Sequence, residues 1–355
     1  MSGNLKDRLR FGCEISPNGE NIEHSLQRAK QAEECGFDVL TFPDHLFSSG
    51  GAPDWEVFSV LGAVGTVTEQ VEIMPGVTDS VRRHPAELAH AIATLDQLTD
   101  GCAILGIGAG EAFTFRGIND FEWDRPYTRF KECVSVVLGL WESNENASFS
   151  FDGEYFDLED AVLEFQAART PHPPVHVGGY GPKMRSLAGQ VADGWVPWIH
   201  APAQYKQDLE TVLEAAEAAD REPAAIDRAV MIPTAVSATD PEGVREELIE
   251  AWTSRLALRP SLLDDMGYSE LAKEAPRMWQ MSFDPDQQTQ QADVADRIPR
   301  EAVEEVVVAG SPEDAIEQIE RFVEAGVTHP IVLPGGDVEK TFDCYKREII
   351  PYFEK

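Results

Sequence analysis

Two segments of the chain place carboxylates directly after apolar runs, where acid/base chemistry is expected. Cys102 to Ile107 has the composition of a strand buried on both faces, and alternating glycines then lead to Glu111. Phe37 to Pro43 is a second such run, followed at once by Asp44 and His45. Because parallel strands gather the residues at their carboxyl ends at one edge of the fold, these segments predict an enzyme.

Each of these side chains also has a structural alternative. Asp44 could cap a helix, and His45 could be a packed histidine; as a functional group, His45 would titrate near neutral pH. Glu111 could be an acid favoured by the N-terminal end of a helix dipole. Glu14 ends the first predicted strand between two apolar neighbours. We expect Glu14 on or near the interior of the sheet, which is difficult to explain as surface charge.

A glycine turn joins another predicted strand to a helix. Val177 is followed by Gly178 and Gly179, then by Gly181, with Pro182 at the first helical position. Free backbone amides and the helix dipole favour an anion at such a turn, and a phosphate group would suit it. The alternative is a tight turn of the sheet with no ligand.

Strand-like and helical segments alternate about eight times, which predicts a closed (β/α)8 TIM-like barrel rather than an open sheet. Two segments depart from this pattern. Ser148 to Phe156 alternates around Asp-Gly and predicts an edge β-hairpin. Pro241 to Arg300 predicts an insertion before the last β/α unit, helical first and then polar from Asp284 to Asp293; it is either a lid or a surface excursion. We treat residues 1–355 as one domain.

The charge balance of the chain is strongly acidic. The 355 residues include 63 acids against 29 bases, for a net charge of -34, and the acids recur through several helices. A surface of this kind repels itself in dilute buffer and is used by halophiles. We therefore expect a protein of a salt-rich, archaeal-type cytoplasm. The same charge argues against nucleic acid and anionic membranes as partners.

Other classes are excluded by missing signals. No stretch of about 18 apolar residues predicts a membrane span, and the polar N-terminus does not have the pattern of a signal peptide. Five scattered cysteines predict reduced thiols, consistent with a cytoplasmic location. There is no phosphate-binding P-loop, nucleophile elbow or metal-ligand spacing, so we expect no metal. The glycines from Gly106 to Gly110 depart from a dinucleotide fingerprint, because the third falls one place early.

At this point the motifs resemble a known family, the bacterial-luciferase-like superfamily, and in particular its branch dependent on the deazaflavin coenzyme F420. The segments that look like methylenetetrahydromethanopterin reductases are Phe11 to Asn18, Pro75 to Thr78 and Ala93 to Leu98. Those that look like the F420-dependent alcohol and glucose-6-phosphate dehydrogenases are Gly108 to Ala112, Leu140 to Ser143, Phe151 to Phe156 and the closing Ile319 to Pro351.

The resemblance implies a barrel with the deazaflavin in its mouth. It implies that Glu111 and His45 are acid/base residues and that Glu14 is a carboxylate on the substrate side. A non-prolyl cis peptide between Gly76 and Val77 would back the coenzyme ring. The other residues that the resemblance implies in coenzyme binding are Asp44, Thr78, Gly108, Gly178, Gly179, Gly181 and Pro182.

The activity implied is hydride transfer to or from C5 of F420. The first choice of substrate is a methylenetetrahydromethanopterin or methylenetetrahydrofolate. The alternatives are an alcohol or sugar phosphate as substrate, an FMN-dependent monooxygenase, and a catalytically silent barrel. Two features depart from the dehydrogenases: Leu46 to Gly50 lacks their tryptophan, and their phosphate-binding basic residues have no clear counterparts. We expect a homodimer or higher homo-oligomer.

Overall fold

The computed structural model describes residues 9–16, 21–46, 54–111, 124–276 and 285–354. Its centre is one sheet of parallel strands. The strands, in chain order, are β1 (Gly12–Glu14), β2 (Val39–Phe42), β3 (Glu72–Pro75), β4 (Thr78–Asp79), β5 (Leu105–Gly108), the hairpin pair β6 (Phe149–Asp152) and β7 (Asp157–Ala161), β8 (Val175–Val177), β9 (Gly194–Trp195), β10 (Asp227–Val236), β11 (Val308–Gly310) and β12 (His329–Pro334).

The order of the strands confirms the predicted barrel. The sheet runs β3-β2-β1-β12-β10-β9-β8-β5-β4, with β11 paired to β10. The first strand therefore lies beside the last, with Gly12 opposite Ile331. A parallel bridge between Ile73 and Ala103 links β3 to the segment entering β5, which brings the two ends of the sheet together. All nine parallel pairings require crossover connections, and helices supply most of them.

The helices surround this sheet. They are α1 (Ile22–Cys35), α2 (Val57–Val64), α3 (Pro85–Leu98), α4 (Pro126–Glu142), α5 (Pro182–Val191), α6 (Pro202–Ala218), α7 (Pro241–Leu256), α8 (Pro260–Asp265), α9 (Ser269–Glu274), α10 (Pro285–Ala295), α11 (Arg300–Glu304), α12 (Pro312–Glu324), α13 (Val338–Cys344) and α14 (Ile350–Phe353). Proline occupies the first turn in most of them, where its missing N–H costs no helical hydrogen bond. No helix in the part described is long and apolar enough to cross a membrane.

The strands are buried on both faces, as their apolar composition predicts. In β2, Val39 belongs to the cluster inside the barrel, which also contains Met74 and Met231. Its neighbour Leu40 points to the other face and joins the larger cluster between the sheet and the helices. This alternation follows from the period of two in a strand. The interior of the barrel is therefore filled with side chains, and ligands are confined to its ends.

Four sequence predictions need correction. The hairpin exists, but its second strand begins at Asp157, so that 153–156 form the turn. The polar stretch after Asp284 is largely helical, as α10. A strand and a helix, β11 and α12, lie between the insertion and β12, where no unit was predicted. The sequence predicts one last helix over Val338 to Tyr352, but a π-helical turn over Tyr345–Ile349 interrupts it just before Pro351, which has no N–H to donate.

Candidate active site

The predicted site residues gather at the carboxyl end of the barrel. Glu14 is the last residue of β1, and Asp44 and His45 lie just beyond β2. Glu111 lies three residues beyond β5, and the glycine turn begins directly after β8. Because these strands are parallel and neighbours in the sheet, their ends meet at one mouth.

The floor of the mouth contains the predicted cis peptide. The bond between Gly76 and Val77 is cis and non-prolyl, which confirms that expectation. A Cβ on Gly76 would lie 2.8 Å from Cβ of Thr41, so the chain approaches β2 too closely for a larger residue. The Val77 side chain packs between two other strand ends: its Cγ2 would lie 3.1 Å from a Cβ on Gly108 and 3.2 Å from one on Gly178. The ends of β3, β5 and β8 therefore meet at Val77.

The glycine turn after β8 has the features of an anion site. Gly179 has a φ of +149°, which side-chain-bearing residues rarely adopt, and Gly181 is the N-cap of α5. No side chain caps this helix, and its first turn contains no acid. A Cβ on Gly181 would meet nothing within 4 Å. Pro182 has no N–H and the Met184 amide donates to the Gly181 carbonyl at 2.9 Å, so the Lys183 amide is the donor that the first turn of this ten-residue helix offers to an anion. The ammonium of Lys183 lies 5.5 Å from the ring centroid of Tyr127.

Three titratable groups interact electrostatically across the mouth. Burial raises the pKa of Glu14 to about 7, even though the Ser16 hydroxyl donates to its Oε1 at 2.8 Å. Burial also raises the pKa of Glu111, against the opposing charges of His45 and Arg259. Acid/base groups with pKa values moved toward neutrality are characteristic of catalytic sites. The structure thus brings together Glu14, His45 and Glu111, as the sequence predicted.

The imidazole of His45 is held by a carboxylate that the sequence did not indicate. Its Nδ1 lies 2.7 Å from Oδ2 of Asp54, whose side chain is 12% exposed, against 46% for His45. Burial alone would lower the pKa of His45, but the bond and charge of Asp54, followed by Glu111 and Glu14, raise it above its ordinary value. His45 is therefore more readily protonated than a free histidine.

Asp44 lies in a buried ion-pair cluster. Its Oδ2 accepts from the Thr78 hydroxyl at 2.6 Å and lies 2.6 Å from Nη1 of Arg83 and 2.7 Å from Nη2 of Arg82. The charge and hydrogen-bonding capacity of this oxygen are therefore used within the protein, and so is the hydroxyl of Thr78. Asp44 holds the segment after β2 against the one after β4. Contact of Asp44 or Thr78 with a coenzyme stays a prediction.

The insertion reaches the mouth, which favours the lid over the surface excursion. Trp252 of α7 lies 5.7 Å from Trp198, between ring centroids. Arg255 covers the face of Trp252 at 4.9 Å and is close enough to Glu14 to affect its pKa. Arg259 is 3% exposed; its Nη1 donates to the carbonyl of Ile199 at 2.7 Å, and its guanidinium lies 3.7 Å from the ring centroid of Tyr180.

A second titratable cluster lies at the opposite end of the barrel. His176, Asp227 and His329 place three potential ligand atoms within 4.8 Å of one another. Nη1 of Arg10 lies 3.0 Å from the same Asp227 oxygen that His329 Nδ1 approaches at 2.8 Å. The carboxylate charge is thus already compensated by protein groups. Burial lowers the pKa of His176 to about 4, so this histidine is neutral at physiological pH. We assign the cluster a structural role.

Sequence reasoning missed several mouth residues. The adjacent arginines at 82 and 83, in a chain poor in bases, were the one available signal for the Asp44 cluster. Asp54, Tyr180, Trp198 and the insertion residues gave none, because only the fold brings them near. Trp55 packs against the main core, with its indole N–H buried and unpartnered among the described residues. Phe47 to Gly50, where the dehydrogenase tryptophan was sought, and Ala112 lie outside the described residues.

Comparisons with known proteins agree with this geometry. The model of the family described as luciferase-like monooxygenase matches residues 6–329. A 5,10-methylenetetrahydromethanopterin reductase of Archaeoglobus fulgidus is 28% identical over 345 residues, covering 97% of this chain and 99% of that protein. An F420-dependent glucose-6-phosphate dehydrogenase of Amycolatopsis mediterranei is 27% identical over 355 residues, covering 97% and 98%.

A solved structure shows the same fold with a deazaflavin ligand. It is an F420-dependent secondary alcohol dehydrogenase in complex with an F420-acetone adduct. It superimposes with a TM-score of 0.81 at 25% identity, over 98% of this chain and all of that one. The barrel, the acid/base groups at its mouth and these matches lead to one conclusion: the chain belongs to the luciferase-like family, as an enzyme whose relatives include F420-dependent oxidoreductases.

Proposed function

We propose that this protein is an F420-dependent oxidoreductase that exchanges hydride with a small organic substrate, and that the substrate is a methylenetetrahydropterin. The observation that carries the proposal is the meeting of Glu14, His45 and Glu111 at one mouth, each with its pKa raised above its ordinary value. Hydride transfer to a carbon–nitrogen or carbon–oxygen bond needs a proton partner of this kind at neutral pH.

The residues at the mouth fit the coenzyme. Gly178, Gly179 and Gly181, with the uncapped first turn of α5, would hold its phosphate. The bend at Gly76 and Val77 would back its ring. When bound, the deazaflavin supplies the hydride donor or acceptor, and the protein supplies orientation and protons.

The chain's own groups can move a proton on the substrate side. Glu14, with a pKa of about 7, is partly protonated at neutral pH and can donate or accept. Glu111 lies between a histidine and the buried Arg259, whose charges favour its ionised form against burial. Trp198 and Trp252 cover part of the mouth and limit the access of water.

The substrate proposal rests on the insertion. Trp252 of the insertion and Trp198 form an aromatic pair at the mouth, with Arg255 over one face of Trp252. The ring surface that Arg255 leaves would suit the planar pyrimidine part of a tetrahydropterin. The ketone or secondary alcohol of a dehydrogenase is the second candidate, favoured by the fold match to the F420-acetone complex. Both candidates use the same hydride transfer, so a substrate panel separates them.

The first experiment is an anaerobic titration with F420 and with FMN in molar potassium chloride. We expect F420 to bind and FMN to bind far more weakly; tight FMN binding without F420 binding would overturn the coenzyme assignment. Turnover is then measured with methylenetetrahydromethanopterin, methylenetetrahydrofolate, secondary alcohols and glucose 6-phosphate. Turnover only with alcohols would replace the pterin by the second candidate.

Gly181 offers a matched pair of variants for the phosphate contact. Its φ of -67° and open surroundings tolerate a side chain. Gly181→Asp should cap α5, which favours folding, yet repel a phosphate, whereas Gly181→Ala should keep F420 affinity. Equal F420 affinity in both variants would exclude the phosphate from this turn.

The setting of the enzyme is part of the same proposal. The net charge of -34 supports work in a salt-rich cytoplasm and an archaeal source, with one-carbon metabolism as the context of a pterin substrate. It also supports the absence of nucleic acid and membrane partners. We propose a homo-oligomer, which size measurement in molar salt would test.

A further inference from the structure

Asp54 and His45 form a close pair at the mouth. The Asp54 oxygen lies 2.7 Å from Nδ1 of the imidazole, which is at the short end of the distances seen for charge-assisted hydrogen bonds. Asp54 is nine residues downstream and belongs to no strand. Two residues later, Glu56 caps α2 by accepting from the Ser59 amide at 2.8 Å, and it lies 2.8 Å from Nη2 of Arg83. The backbone beside Asp54 is therefore anchored to both α2 and the Asp44 cluster.

We propose that Asp54 is the positioning residue of the proton-transfer group: it accepts the hydrogen bond of the His45 Nδ1–H, fixes that tautomer and ring orientation, and leaves Nε2 as the nitrogen that exchanges a proton. This inference rests on the proposed hydride-transfer function. The carboxylate acts through the imidazole and needs no contact with substrate. A carboxylate on one imidazole nitrogen selects the proton on that nitrogen and makes the opposite one more basic.

The charges that face His45 are consistent with this role. Asp54 is the nearest carboxylate, and Glu111 and Glu14 face the same ring from the ends of β5 and β1. On the far side of these two acids, Arg259 faces Glu111 and Arg255 faces Glu14. Of these carboxylates, Asp54 bonds Nδ1 at 2.7 Å, so its removal changes both the tautomer and the pKa of His45, whereas the charges of Glu111 and Glu14 contribute to the pKa.

A purely structural ion pair would predict a different response. Its loss would lower stability without a specific change at the imidazole. Asp54→Asn removes the charge and keeps the shape, and Asp54→Glu tests rescue by a longer carboxylate. Glu56→Gln is the matched control, because it removes a neighbouring acid that bonds Ser59 and Arg83 and makes no bond to His45.

The tautomer and pKa of His45 are read by NMR of histidine-labelled full-length protein without coenzyme, with His45→Asn identifying its signals. We expect neutral His45 to carry its proton on Nδ1 in the native protein and in Glu56→Gln. In Asp54→Asn, we expect a lower His45 pKa and a mixture of tautomers. An unchanged tautomer and pKa in Asp54→Asn would overturn the inference, whatever happens to stability.

The second measurement is the steady-state rate of the full-length enzyme, with a substrate that the panel of candidate substrates has identified. Asp54→Asn should lower kcat by roughly tenfold to a hundredfold, less than the 10²–10⁴-fold that a positioned acid or base contributes. It should also move the His45 limb of the pH profile to lower pH, and Asp54→Glu should restore part of both. A uniform loss with an unmoved profile contradicts positioning. If native protein binds no F420, the proposed function fails, but the NMR result still decides the pairing.

Discussion

Arg83 and Asp44 lie 2.6 Å apart and join the segment after β2 to the segment after β4, directly behind the mouth. Burial alone would lower the pKa of Arg83, but the Asp44 bond and charge, with Glu56, raise it. The side chain of Asp44 is 3% exposed, so it has little contact with solvent and lies against these partners instead. Two strand ends of the candidate site are thus held in register by an ion pair rather than by the sheet alone.

Removal of Arg83 should therefore destabilise the fold. In Arg83→Met, Asp44 keeps Arg82 and Thr78 but loses one cation, so we expect a loss of about 1–3 kcal/mol in the free energy of unfolding, measured by denaturant titration in molar salt. Arg321→Met is the control, because its pair with Glu305 is solvent-exposed and should contribute only about 0–1 kcal/mol. Equal losses in both variants would contradict a special role for the buried pair.

Glu111→Gln should abolish most turnover while sparing coenzyme affinity. It keeps the shape of the side chain but removes a proton-transfer group, worth roughly 10²–10⁴-fold in rate. A helix-terminus charge would be worth only about 0.3–1 kcal/mol. Steady-state rates and F420 titration of this variant are compared with His45→Asn. If Glu111→Gln turns over normally and His45→Asn does not, the role belongs to His45; if neither is slowed, both assignments are wrong.

The fold should lose stability in mild acid. Burial lowers the pKa of His176 to about 4 and that of His200 to about 3, from an ordinary value of 6.5. The unfolded chain therefore binds these protons first as pH falls. The stability is complete above about pH 6.5 and decreases toward pH 4, by about 1.4 kcal/mol per pH unit for each histidine. Asp227, whose pKa is lowered by its partners against burial, adds to the loss below about pH 4.

Denaturant titrations between pH 7 and pH 4 measure this slope. The slope reports how many more protons the unfolded chain binds than the native protein, and His200→Asn should lower that number by about one. A slope in His200→Asn equal to that of the native protein would show that His200 does not contribute.

Stability should rise with salt. Exposed acids such as Glu210, Glu214 and Glu217 follow one another along α6. At 0.1 M salt, exposed charges more than about 10 Å apart are largely screened from one another, so added potassium chloride reduces the repulsion among the acids. We expect the melting temperature to increase from dilute to molar salt, and by more than in sucrose of equal osmolality. A melting temperature that does not change with salt would contradict the halophile interpretation.

The elements with complete local signals were the ones the sequence predicted best. The sequence predicts helices over Ile22 to Cys35 and Pro85 to Leu98, and these are the bounds of α1 and α3. Asn21 caps the start of α1, Gly36 ends it with a φ of +95°, and Pro85 opens α3 after His84. The strand β11 was missed because three residues show no period. The helix α12 was overlooked despite its Ser311 and Asp314 capping box, a clear start signal.

The sequence could predict only those site residues that lie at the ends of predicted strands. The positions of Glu14, His45 and Glu111 follow from parallel strands whose carboxyl ends share one mouth. The pairing of His45 with Asp54 joins residues nine apart, and that of Asp44 with Arg83 joins residues 39 apart. No periodicity encodes such distances, because they are set by packing between loops. The approach of Arg255 and Arg259 likewise follows from the fold of the insertion.

The insertion has an apolar cluster that includes Leu248, Leu262 and Val294, and this cluster meets the barrel at Ile199, Ala235 and Ala309. Trp198 and Trp252 pack against both this cluster and the barrel interior, so the cluster can be redesigned while the interior stays intact if these two residues are kept. For protein engineering, the insertion is therefore a segment to exchange: grafting the corresponding segment of a relative, with Arg255 and Arg259 retained for their charges beside Glu14 and Glu111, would alter what enters the mouth.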